Sequence, residues 1–173
     1  MYLRLVALVA IFNRQLVGRL ALPFLVLASL AVGIGWLWSK RPDPSDQAIQ
    51  RENEANNPLE LMAAFFFAAL FLAMLIATQL VAAHLGRAGV DTLAAIMGVT
   101  DVDPFILGMT QAAGRLTPLE VAAGAVVIAA SSNNLIKGVY AYSLADKRTG
   151  LQGLSLLIGL AMAGLAPLLF LAR

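Results

Sequence analysis

The stretch VDTLAAIMGVTDVDPFILGMTQAA, residues 90–113, is apolar enough to enter a membrane, yet it carries two acids and a proline at its centre. Pro104 has no N–H to donate, and its ring clashes with the carbonyl four residues back. It also steers Asp103 away from helical backbone angles. Asp103 is therefore expected to cap a new helix, with Pro104 at its first position. The stretch then reads as two half-helices, 90–100 and 104–113. At about 1.5 Å per residue, neither half crosses a hydrocarbon core of roughly 30 Å. Backbone breaks at that depth are tolerated only where the freed groups face protein or water.

Working outward, the rest of the chain supplies the membrane. The 173 residues are 60% hydrophobic and 13% charged, with a mean hydropathy of +0.82. A soluble domain carries about 25% charged residues, so this chain has too few to cover a globule in water. The expected class is an all-α, polytopic helical membrane protein with about five membrane segments and a short N-terminal helix. One domain fills residues 1–173. A lead-in helix and first span occupy 1–38, with Pro23 in the early turns and Trp36 and Trp38 as interface anchors. A polar loop follows over 39–58. The second segment is 59–84, with Gly86 and Gly89 making the turn. The broken third is 90–113, the fourth 118–146 and the fifth 151–173. Small-residue pairs such as Ser29 with Gly33 and Gly159 with Ala163 permit close helix contact.

Several functions are disfavoured. The net charge is +2 and the basic residues are scattered, so nucleic acid is not an expected partner. There is no Cys and a single His84, which removes disulfides, thiolate metal sites and multi-histidine sites. No nucleophile–base pair stands out. Asp101 and Asp103 lie two apart at an Asp–Pro break, without the Gly-x-Gly-Asp pattern of an intramembrane hydrolase. An enzyme is not expected.

The chemistry is expected where the break meets the middle of the fourth segment. An Asp at the centre of a membrane helix costs about 2.5–3.5 kcal/mol on insertion scales, so such residues face a partner or a cavity. Hard cations take carboxylate, carbonyl and hydroxyl oxygens. Asp101, Asp103, Asn133 and Asn134 fit that donor set as candidate cation ligands. Thr100, Ser131, Ser132, Thr110 and Gln111 are supporting groups, and Lys137 tunes the charge. Asn133 and Lys137 are four apart and share a helix face. The bland alternative is a buried ion pair of Asp101 or Asp103 with Lys137, with the asparagines satisfying the rest.

Three runs carry a resemblance: Asn57-Pro58-Leu59-Glu60-Leu61, Gly98-Val99-Thr100-Asp101-Val102-Asp103, and Ser132-Asn133-Asn134-Leu135-Ile136-Lys137. Together they resemble the C-terminal membrane domain of MgtC/SapB-type proteins, a domain of undefined function. The resemblance implies a bacterial inner membrane, an MgtC-like membrane domain as a partner, and magnesium-related physiology by association. The expected function is a cation transporter or channel-like module holding a bound cation. The alternative is a non-transporting scaffold or regulatory subunit. Lys and Arg are nearly balanced across the membrane whether the third segment spans or re-enters, so they do not choose an orientation. A homodimer is expected, antiparallel if the chain inserts both ways.

Overall fold

The structure is a computed structural model that describes residues 1–40, 61–166 and 168. Most of the polar loop, the Asn57-Pro58 start of the second segment and the end of the fifth lie outside them. Six helices are present among the described residues: α1 (Tyr2–Phe12), α2 (Arg14–Ser39), α3 (Leu61–Val99), α4 (Val102–Ala112), α5 (Leu119–Leu144) and α6 (Lys147–Leu165). Among the described residues, four stretches, in α2, α3, α5 and α6, are long and apolar enough to cross a membrane.

α1 packs into the bundle. Tyr2, Leu5 and Val9 form one buried stripe at helical spacing. Asn13 adopts extended angles, and its carboxamide oxygen caps α2 by accepting from the N–H groups of Gln15 and Leu16. The chain doubles back there, so the Tyr2 and Phe24 rings meet at 5.4 Å. Pro23 falls well inside α2 rather than in its first turns. At the far end of α2, the Lys40 ammonium sits 3.6 Å from the Trp36 ring centroid, which suits an interfacial anchor.

α3 is two arms, 61–85 and 87–99, joined at Gly86 (φ 59°, ψ −149°). That backbone region is essentially restricted to glycine. A Cβ on Gly89 would meet the Val81 side chain at 2.8 Å. Residues eight apart on a straight helix are about 12 Å apart, so the second arm folds back along the first. Gly86 makes the turn, and Gly89 packs it.

The second arm ends at a break over Thr100 and Asp101, and α4 begins. The cap of α4 is Asp101, not Asp103: its carboxylate accepts from the Asp103 N–H at 3.2 Å. Pro104 falls at the third helical position. This costs no hydrogen bond, because none of the first four N–H groups of a helix has an intrahelical partner.

The direction of α4 settles how the third segment travels. The Asn13 carboxamide donates to the carbonyls of Thr110 and Ala113, and Arg19 pairs with Glu120 at 3.4 Å. The starts of α2 and α5 therefore share one end of the molecule. With α2 and the first arm of α3 each read as one crossing from their length and apolar composition, the second arm of α3 and α4 leave from and return to that side. The third segment then forms a re-entrant hairpin with its tip at Asp101.

α5 and α6 are antiparallel. Gly138 abuts Leu154 and Leu157, Gly150 abuts Ala141 and Tyr142, and Gly164 abuts Ser131. The turn between them is shorter than residues 147–150 suggested: Asp146 caps α6, and Lys147 already lies in its first turn. The close approaches are at these glycines. Gly33 and Gly159 have open space beside them. The buried core gathers around the first half of α5, where Ala122, Ala125, Val126 and Ala129 are fully covered.

Candidate functional site

Asn133 and Asn134 lie about 21–23 Å along α5, near its middle. Both are buried, at 5% and 2% exposure. A buried amide needs hydrogen-bond partners, and here they come from α1. The Asn134 amide donates to the Tyr2 hydroxyl at 2.6 Å. That hydroxyl donates in turn to the Leu160 carbonyl of α6 at 3.3 Å. The Asn133 amide points at the Met1 sulfur, 3.3 Å away. The first residues of α1 thus sit at half depth, and the helix runs from there to the surface at Asn13.

One turn along α1, the Arg4 guanidinium reaches Asp103 at 2.7 Å. α1 and α4 are parallel half-length helices, joined at their tips by this pair and at their other ends by Asn13. The pair is not enclosed by the chain: the side chains are 58% and 31% exposed. Asp101 and Thr100 are also exposed. Lys137 is exposed on α5 and forms no ion pair among the described residues.

The residues singled out from sequence separate into three groups. Asp101 and Asp103 share the hairpin tip with Thr100, whose hydroxyl donates to the Met97 carbonyl. Asn133, Asn134, Ser131 and Ser132 share the middle of α5. Ser132 donates to the Ala95 carbonyl at 2.7 Å and locks the second arm of α3 onto α5. Thr110 and Gln111 belong to neither cluster. They lie two turns along α4, Thr110 buried with its hydroxyl on the Ile106 carbonyl and Gln111 at the surface end. No group of three or more His, Cys, Asp or Glu side chains able to hold a metal occurs among the described residues.

Three contributors were not anticipated: Arg4, Tyr2 and Met1. Arg4 and Tyr2 are the only charged or hydroxyl-bearing side chains in α1. That was the available signal, since a lone charge in a buried apolar helix implies a partner.

A helix bundle with a re-entrant hairpin tipped by acids at half depth defines a class, the polytopic α-helical membrane protein with a broken intramembrane segment. Within that class, the chain belongs to the family described as Domain of unknown function (DUF4010), which matches residues 1–145. The matched region runs from α1 through α5 and holds every residue of both clusters. No curated protein and no solved structure matches the chain.

Proposed function

We propose that the chain is a cation-translocating membrane module in which Asp101 and Asp103 take up a small cation or a proton at the hairpin tip. Arg4 is the resident counter-charge on Asp103 that the arriving cation displaces. The supporting observation is the position of Arg4, Asp101 and Asp103. All three stand at half depth, at the tips of two half-length helices, incompletely covered by the chain. Charged groups at that depth do not face lipid and mark ion pathways. Broken helices near the bilayer midplane hold ions in transporters.

The charge count favours a monovalent ion or a proton. Arg4 offsets one of the two acids, which leaves one negative charge at the tip. A calcium shell takes six to eight oxygens, and two carboxylates fall short of it. Kinship with MgtC/SapB-type proteins, a bacterial inner membrane, an MgtC-like partner domain and a homodimer belong to this proposal too. They rest on the motif resemblance and the membrane character of the chain.

A second reading is favoured by the contacts of α1. Tyr2–Asn134 and Arg4–Asp103 clamp this helix to α5 and α4, as a non-transporting scaffold or regulatory subunit would require. Cation flux into proteoliposomes separates the two. Translocation predicts flux from the wild type that the double variant Asp101→Asn, Asp103→Asn abolishes while remaining folded. Equal flux from both proteins sinks the transport reading. No wild-type flux, with a variant that loses folding or assembly, supports the scaffold.

A further inference from the structure

At the opposite end of α1 and α4 from the ion pair, a polar cavity of about 490 Å³ opens where the helices meet α2. Its lining includes Phe12, Asn13, Arg14, Gln15, Gln111 and Arg115. We propose that this cavity binds the headgroup of an anionic phospholipid.

The floor is rigid because Asn13 is fully committed. Its oxygen caps α2, and its amide holds the Thr110 and Ala113 carbonyls at 3.1 and 2.9 Å. The wall is a set of uncommitted donors. Neither Arg14 nor Arg115 has a carboxylate partner among the described residues. The side-chain amides of Gln15 and Gln111 make no hydrogen bond among them either. No acid lines the space. The positive end of the α2 dipole adds to the same potential. Two guanidiniums and two amides around a preformed concavity suit a phosphate oxygen cluster.

The surroundings choose a lipid over a free anion. Phe12 lines the cavity at 51% exposure, and Ile11 and Leu116, next in sequence to lining residues, are 76% and 64% exposed. The cavity also lies at the end of the spans, where headgroups reside. Acyl chains lie along the apolar residues while the phosphate sits among the donors.

The test uses the full chain in detergent, with retained lipid counted by native mass spectrometry and protection followed by thermal shift. Phosphatidylglycerol should be retained about tenfold better than phosphatidylcholine, and the double variant Arg14→Gln, Arg115→Gln should lose that preference. Arg87→Gln, a charge loss outside the cavity, should keep it. If the double variant fails to fold, Arg115→Gln alone in its exposed turn carries the measurement. Equal retention of both lipids overturns the proposal, as does a preference that survives in the double variant or disappears in Arg87→Gln. Inorganic phosphate protecting as well as phosphatidylglycerol at equal concentration overturns the lipid assignment in favour of a free anion.

Discussion

Arg4 changes the meaning of the two acids. In the alternative that paired an acid with Lys137, the charge pair would have linked α4 to α5. With Arg4 it links α4 to α1, and Lys137 is left on an exposed face of α5. A double-mutant cycle of Arg4→Gln and Asp103→Asn, read by thermal unfolding in lipid nanodiscs, should give a coupling of about 0.5–3 kcal/mol. A coupling of zero means the pair contributes nothing. The acids and the Ser-Ser-Asn-Asn run were legible because polar groups in an apolar stretch are costly and conspicuous. Their partners were not, because Arg4 and Asp103 are 99 residues apart in sequence. Only the folding-back at Asn13 and Gly86 brings them together.

At the level of helices, close approach is specified by a few positions. A Cβ on Gly98 would collide with the Ala129 carbonyl and the Ser132 side chain, whereas one on Gly18 would meet nothing within 4 Å. Gly98→Val should therefore destabilise the protein by about 1–3 kcal/mol through overpacking against α5. Gly18→Ala should be neutral or stabilising by about 0.5–1 kcal/mol. Calorimetry on the two variants checks the contrast. Helix ends were less legible than helix interiors. Asp146 was read as the end of one segment and turns out to cap the next. The Thr149 backbone N–H holds the Asp146 carboxyl below its ordinary value of 3.8. Its cap is thus at full strength above that value and is lost as pH falls through the depressed one. Acid unfolding of the wild type should show this loss, and Asp146→Asn, which caps without titrating, should not.

The re-entrant path makes a prediction for the whole molecule. Arg14 and Arg115 should lie on one side of the membrane, with Lys40 and Ala145 on the other. The chain has no native Cys, so Arg14→Cys, Arg115→Cys, Lys40→Cys and Ala145→Cys can each be probed with an impermeant thiol reagent. Labelling of residues 14 and 115 from opposite sides rejects the hairpin. The helical membrane class was readable from hydropathy alone, and the break from Pro104. Whether the broken segment crossed or returned was not, because a hairpin and a span of this length have the same composition. The placement of α1 has one more consequence, which concerns the order of assembly. Its polar partners come 99, 132 and 158 residues later in the chain, and synthesis proceeds from the N-terminal end. Tyr2 and Arg4 must wait without those partners until α4, α5 and α6 have been made. This helix, made before all three of its partners, is thus among the last to settle, and lesions in α6 should register as a loosened α1.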